Sequence, residues 1–378
     1  MTLKTITCVV MGPVKSGTTL MISLMDSHKD LSLFPMEVKF LTHWFERLSY
    51  KQPTYTDLNE FFLKESKIRL MNNNLKDRAD IMNSGRIDFS GFNYSVFKDE
   101  MGQAAIRTKG VEIRGAELFQ KFMLDIHETL DALCGKNGRK VIVSKEGNHG
   151  AKYLNQIRDI YPRSKFIVIV RDPRDIFASF KAIAEKKKAG LESPSFKEKI
   201  TPCRFINGNK GKNIYAYNEL AKKYKGSENF CFVRYEDLTS NTAREMTVVA
   251  KFLGVKFTNE LISPTNLGNR WGGNASSLIG FEKVESNRTE KWRRELEPSE
   301  RRIIEYFCYG YLEASSYDLP MVRPPKYRVI LDIFLTEVRE VRVSDLTSIR
   351  GLYYLFKKAI LLINACSACL FRIDLLGR

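Results

Sequence analysis

Histidine is scarce in this chain. There are four in 378 residues, His28, His43, His127 and His149, and no two of them stand at a spacing that ligands of one metal ion would need. The seven cysteines are an odd number scattered through apolar stretches such as those around Cys8 and Cys231. That excludes a disulfide framework and fits a reducing compartment. Cys366-Ser367-Ala368-Cys369 is a CxxC without a second pair, so packing outweighs a metal or redox role. No metal site is expected. Long hydrophobic runs are also missing: the uninterrupted apolar part of the C-terminal tail, 359–371, is too short to span a bilayer. Nothing ahead of Ile6 has the charged, apolar and cleavage regions of a secretory leader. The chain therefore reads as cytoplasmic without a transmembrane segment, or as a chain trimmed at its start; on the first reading the sequons at Asn93, Asn274 and Asn287 are chance matches. Acidic residues are outnumbered, 44 against 61 Lys and Arg, giving a net charge of +17. Such an excess favours anionic ligands, although much of it is solvated surface such as Lys186-Lys187-Lys188. No recognition motif accompanies the charge, so nucleic acid is not an expected partner.

What the chain does have is a compact signal near its start. The apolar run from Ile6 to Met11 passes through Gly12-Pro13-Val14 into Lys15-Ser16-Gly17-Thr18-Thr19, and Leu20, Met21, Leu24 and Met25 follow as a helical stripe. The pattern predicts a strand, a loop and a helix N-terminus. That junction is an anion cradle, because backbone N–H groups around Gly17, the open donors of the first helical turn and the positive end of the helix dipole converge there. Thr18 and Thr19 add hydroxyls, and Lys15 adds a mobile charge. A Walker A loop would place its lysine after the second glycine and a magnesium-holding hydroxyl next. Here the lysine precedes the glycine by two, so a nucleotide phosphate is implied and a metal is not.

A second signal lies about 150 residues downstream. Lys165 to Val170 reads as a buried strand, Arg171 closes it, Asp172 and Pro173 supply a cap and a first helical residue, and Ser179 falls near the end of the second turn. Together the two segments resemble the phosphate-binding signatures of sulfotransferases that use 3′-phosphoadenylyl sulfate (PAPS). The resemblance implies that Lys15, Ser16, Gly17, Thr18 and Thr19 hold the 5′-phosphosulfate. Arg171 and Ser179 would grip the 3′-phosphate, and 3′,5′-ADP would be the product. Ser286-Asn287-Arg288-Thr289-Glu290-Lys291-Trp292 is similar to the family's basic loop before a tryptophan. This makes Arg288 a further candidate for the 3′-phosphate, with a plain surface arginine left open. Tyr235 occupies a position that contacts adenine in some relatives.

Sulfuryl transfer resembles phosphoryl transfer, an in-line displacement in which the protein positions the reactants and stabilises charge on the leaving phosphate. Lys15 is placed to meet that charge. The acceptor must also lose a proton. Pro35-Met36-Glu37-Val38-Lys39-Phe40 resembles the Glu-Val-His-Phe-Phe element of heparan sulfate sulfotransferases, whose glutamate is the catalytic base; this implies that role for Glu37, with Lys39 and Leu41 departing from the pattern. Lys145, read as closing a strand, would touch the transferring group or the acceptor oxygen, with a buried ion pair as the competing reading. Gly147 stands where cytosolic members carry their base histidine. Glu146 and His149 remain reserve bases.

Strands alternating with helices predict an α/β fold, a three-layer P-loop-like domain with a central parallel sheet flanked by helices. The expected domain spans residues 1–322, with a helical acceptor-side insertion at about 50–135 and a helical extension over 323–378. Glu185 to Asn213, rich in Lys, Gly and Pro, reads as a mobile loop. In the extension, Tyr327, Ile330, Leu331, Phe334, Leu335, Val338 and Val341 mark one helical face. The apolar segment 352–371 docks on the main domain or on a second subunit in a homodimer, and its Lys357-Lys358 pair leaves peripheral membrane contact open. The acceptor is a small molecule or a carbohydrate bearing a hydroxyl or amine. Two other readings stay open on sequence: a P-loop kinase or NTPase, and a non-catalytic binder of polyanions.

Overall fold

The computed structural model describes residues 6–35, 39–65, 71, 89, 91–136, 140–188, 200–271, 284, 289–338, 359–360, 362–364 and 366–367. Five parallel strands form its sheet: β1 (Ile6–Met11), β2 (Leu31–Leu33), β3 (Val141–Gly147), β4 (Lys165–Val170) and β5 (Phe230–Arg234), in the order β2-β3-β1-β4-β5. Their side chains are almost continuously buried, as a parallel sheet covered on both faces requires. Because β1 is central and the chain turns to opposite sides of it after β1 and after β3, the strand order reverses there. Ligands of open α/β sheets bind at such a point, outside the carboxyl ends of the strands.

The helices, in chain order, are α1 (Thr18–Met25), α2 (Phe40–His43), α3 (Tyr55–Lys64), α4 (Tyr94–Arg107), α5 (Gly115–Leu133), α6 (Leu154–Ile160), α7 (Pro173–Lys188), α8 (Pro202–Asn207), α9 (Asn209–Tyr224), α10 (Tyr235–Ser240), α11 (Thr242–Leu253), α12 (Trp292–Glu295), α13 (Pro298–Phe307), α14 (Tyr309–Ala314) and α15 (Lys326–Val338). The chain packs as two compact units. One comprises residues 1–12, 17–169 and 226–286, the other 13–16, 170–225 and 287–378.

The first unit holds the sheet. Its core joins Val10 of β1, Leu24 of α1, Ile167 of β4, Val233 of β5 and Leu253 of α11. Burying side chains of that size contributes about 1.5–3 kcal/mol each before chain entropy is counted. Gly254 ends α11 in the left-handed conformation, which glycine adopts without a side-chain penalty. A separate aromatic cluster binds α2, α3 and α5. Phe40 stacks on Phe119 and Phe122 at 5.5 and 5.3 Å, and meets the edge of Phe62 at 5.5 Å.

In the second unit the expectation of a loop over Glu185 to Asn213 is corrected. Helix α7 continues to Lys188, α8 and α9 occupy 202–207 and 209–224, and 189–199 lie outside the described residues. Thr201 caps α8 by accepting from the Arg204 N–H, and Pro202 takes the first helical position. That cap-and-proline pair outweighs the loop-like composition. Helix α15 forms where expected, but Tyr327, Leu331, Phe334, Leu335 and Val338 are exposed, while Val329 and Ile333 point inward. Asp332 faces the same way and receives Arg302 at 2.6 and 2.9 Å. Val341 and most of 352–371 lie outside the described residues. No helix among the described residues is long and apolar enough to cross a membrane.

Candidate functional site

The loop between β1 and α1 has the shape its sequence predicts. Ser16 N–H bonds back to the Pro13 carbonyl at 3.1 Å. Lys15 (φ 62°) and Gly17 (φ 101°) are left-handed, and no side chain caps α1. The first turn of such a helix is where backbone donors and the helix dipole favour an anion. Gly17 is required on a second count. A Cβ there would sit 2.4 Å from Cδ2 of Tyr235, whose buried ring underlies the glycine. The hydroxyl of Ser16 is buried without a hydrogen-bond partner among the described residues. A bound phosphate would supply the missing partner.

Within the sheet unit, Lys145 Nζ donates to Thr19 Oγ1 at 2.6 Å across 126 residues of sequence. Strand β3 does not end at Lys145; it runs to Gly147, and its register against β1 slips there, with Val10 opposite Lys145 but Met11 opposite Gly147. Glu146 is the extra residue. Such a bulge re-aims consecutive side chains, and both Lys145 and Glu146 are buried. The Glu146 carboxylate accepts from the N–H groups of Leu41 and Thr42 at 3.3 and 3.2 Å, and from the hydroxyls of Thr42 and Ser144, both at 3.1 Å. With both oxygens engaged and 1% of the residue exposed, this reserve base anchors the start of α2. Burial raises its pKa to about 7, against the opposing pull of those hydrogen bonds. His149 is half-buried, its N–H on the Glu146 carbonyl.

In the second unit, Arg171 is 7% exposed. Its Nη1 donates to the carbonyl of Lys15 at 2.9 Å, and its backbone N–H to the Tyr311 hydroxyl at 3.3 Å. Two of the residues expected at the phosphates, Lys15 and Arg171, therefore touch within this unit. Asp172 caps α7 through the Arg174 N–H at 2.8 Å. Ser179, half-buried, donates to the Asp175 carbonyl. The Asp175 carboxylate accepts from Glu290 N–H at 2.7 Å and Trp292 N–H at 3.0 Å, pinning the segment that follows Arg288. Burial raises the pKa of Asp175, while those two donors oppose the shift. Glu37 and Arg288 themselves lie outside the described residues.

Sequence reasoning overlooked Arg174. Its side chain is 2% exposed, bonded to Asp172 at 2.7 Å and to Glu305 at 2.8 Å, and stacked over the Trp292 ring at 3.9 Å. The signal available was the second arginine of Arg171-Asp172-Pro173-Arg174, whose carboxylate neighbour sits two residues away. A hollow beside Trp292 is lined by Arg293, Arg301 and Arg302, but those arginines are committed to Glu290, Glu305 and Asp332.

The comparison with known families decides the class: the sulfotransferase family model matches residues 8–259, two thirds of the chain. The chain belongs to the sulfotransferase family. By that family it is an enzyme, a sulfotransferase. Among solved structures it is similar to the sulfotransferase domain from the curacin biosynthetic pathway, with 17% identity and a TM-score of 0.48 over 84% of this chain and 99% of that one. The sulfotransferase domain of the Synechococcus PCC 7002 olefin synthase gives 15% and 0.45, over 83% and 95%. Retinol dehydratase in a complex with retinol and PAP gives 13% and 0.33, over 84% and 83%. No curated protein matches the chain.

Proposed function

We propose that this sulfotransferase moves the sulfuryl group of PAPS to a hydroxyl or amine of a small molecule or carbohydrate, with Glu37 as the general base. The observation that carries the reading is the Arg171 bond to the Lys15 carbonyl, which ties the 5′-phosphate loop to the residue assigned to the 3′-phosphate. The residues fit the nucleotide: a buried hydroxyl at Ser16 in need of a partner, a helix N-terminus on α1 that no side chain caps and a left-handed glycine.

In this scheme Ser16, Gly17, Thr18 and Thr19 bind the 5′-phosphate end, and Arg171, Ser179 and Arg288 bind the 3′-phosphate. Tyr235 carries the loop from below and offers an edge to the adenine. The acceptor oxygen or nitrogen attacks sulfur as the bond from sulfur to the 5′-phosphate oxygen breaks, the electron pair staying on the phosphate of 3′,5′-ADP. Lys15 meets that charge, Lys145 orients the group in transfer, and Glu37 takes the proton. No metal is assigned a role.

In thermal-shift measurements 3′,5′-ADP should stabilise the protein more than ATP with Mg²⁺, and Arg171→Ala should lose most of that stabilisation. Lys15→Ala should lower turnover by about 10²–10³ and Glu37→Gln by about 10²–10⁴, with 3′,5′-ADP affinity in Glu37→Gln unchanged. Full turnover in Glu37→Gln would move the base elsewhere. Equal stabilisation by ATP and Mg²⁺ would remove PAPS as donor.

A further inference from the structure

Helix α15 is fastened to its own unit along one side. Val329 and Ile333 are fully buried there, and Asp332 takes Arg302 of α13 at 2.6 and 2.9 Å. The other side carries Tyr327, 76% exposed, with Leu331, Phe334, Leu335 and Val338 each between 41 and 49% exposed. At 3.6 residues per turn these five fall within about 100° of arc on a helix about 20 Å long. Met321 and Val322, just ahead of the helix, are more exposed still. Single apolar side chains on a surface need no explanation, but a contiguous face of them marks a contact.

The charges of 321–338 are sorted by sign. Both acidic residues, Asp332 and Glu337, are buried. Of the basic ones, Arg323 and Arg328 are exposed and Lys326 is half-buried. Arg323 lies over the rings of Tyr306 and Tyr309 at 5.1 and 5.0 Å. Arg328 stands 3.8 Å from Asp332, but that carboxylate already holds Arg302, so one negative charge faces two guanidinium groups. The outward side is apolar with a rim of positive charge.

We propose that this face of α15 docks on the surface of a lipid bilayer bearing anionic headgroups. An interfacial helix sets its apolar face at the boundary of headgroups and acyl chains, and its binding strengthens with apolar area and with basic residues near anionic lipid. The chain's charge of +17 adds attraction at a distance. Tyr327 offers a ring to the apolar side and a hydroxyl to the headgroups. A second copy of the chain fits less well. Symmetric dimers bring the same patch of both subunits together, which would set Arg323 and Arg328 against their own kind while Asp332 and Glu337 stay buried. Membrane contact was left open on sequence by Lys357-Lys358; the proposal places it on α15, and it holds whichever acceptor the enzyme uses.

The test floats the full-length protein with vesicles of phosphatidylcholine and phosphatidylglycerol, and with vesicles of phosphatidylcholine alone. Partitioning should be at least about tenfold stronger on the anionic vesicles and should weaken as salt is raised. Leu331→Ser combined with Phe334→Ser should lower it about tenfold or more, with an unchanged unfolding midpoint in denaturant. Should that pair not fold, Arg323→Gln with Arg328→Gln should remove most of the preference for anionic vesicles. In Phe334→Trp, added anionic vesicles should shift indole emission to the blue, and brominated lipid should quench it, a response that the buried Trp44, Trp271 and Trp292 of the wild type should not give. Wild-type protein that does not bind anionic vesicles would overturn the proposal. So would binding that survives the serine pair undiminished, because the contact would then lie elsewhere on the chain. A wild-type dimer that the serine pair turns into monomers, seen by light scattering, would give the face to a second copy and overturn it as well.

Discussion

Two buried carboxylate clusters, one in each compact unit, solve the same problem in opposite ways. At the start of α7, Asp172 and Glu305 are paired with the guanidinium of Arg174, and Arg301 gives Glu305 a second positive partner at 2.8 Å. At the end of β3, Glu146 is as deeply buried, yet its donors are two backbone N–H groups and two hydroxyls, all neutral. Hydrogen bonds satisfy its geometry but bring no opposite charge, so burial wins and its pKa rises to about 7. Burial alone does not set ionisation; the charge of the partners does. The first cluster is a fixed ionic clamp beside Arg171, and the second is a titratable anchor for the segment that follows Glu37.

Breaking the clamp gives the largest effect. Arg174→Met should cost about 3–5 kcal/mol in denaturant unfolding, because it removes the cation that buried Asp172 and Glu305 share and leaves Glu305 with Arg301. Adding Asp172→Asn and Glu305→Gln should recover part of that loss. A cost below about 1 kcal/mol would mean that the clamp's charges are solvated and the contrast with Glu146 is false.

Glu146→Gln sharpens the other side, because glutamine reproduces the protonated acid and cannot ionise. The folded carboxyl titrates near 7 and the unfolded one near 4.5. Between those values the folded state holds more protons, so this residue's stability contribution is fully present below the window and is lost as pH rises through it. The loss is on the order of 3 kcal/mol over the window. Unfolding free energy measured from pH 4 to 8 should therefore fall with pH in the wild type and be flatter in Glu146→Gln. Parallel profiles would show that Glu146 is ionised throughout, with its hydrogen bonds outweighing burial.

The same contrast explains what the sequence made legible. The phosphate loop, Arg171 and the Asp172-Pro173 helix start were readable because each depends on residues within a few positions: a glycine that must be left-handed, a cap two residues before its N–H donor. Gly254 stops α11 for the same local reason. Glu146 as an anchor was not readable, since its donors lie 104 and 105 residues away and its direction depends on a one-residue slip between β1 and β3. Arg174 needs Glu305, 131 residues on. The apolar stripe of α15 shows a further limit: periodicity identifies a face, but Arg302 pairing with Asp332 turns the opposite side inward.

The smallest expected effect probes a purely local requirement, where neither charge nor burial of a carboxylate is involved. Gly17→Ala imposes two penalties. Its φ of 101° lies where a side chain is strained, at about 1–3 kcal/mol, and the new methyl would meet Tyr235 Cδ2 at 2.4 Å and Cε2 at 2.9 Å. Because that ring is buried where α10 begins, it can yield only by disturbing its own packing. The variant should lose about 1–3 kcal/mol of stability together with 3′,5′-ADP affinity, because the first-turn donors of α1 move with the glycine. Tyr235→Ala separates the two penalties. Combined with Gly17→Ala it should relieve the clash but not the backbone strain, giving a coupling of at least about 0.5 kcal/mol in a double-mutant cycle. Additive effects would mean that the ring does not underlie the loop, and the cradle would then depend on glycine's backbone freedom alone.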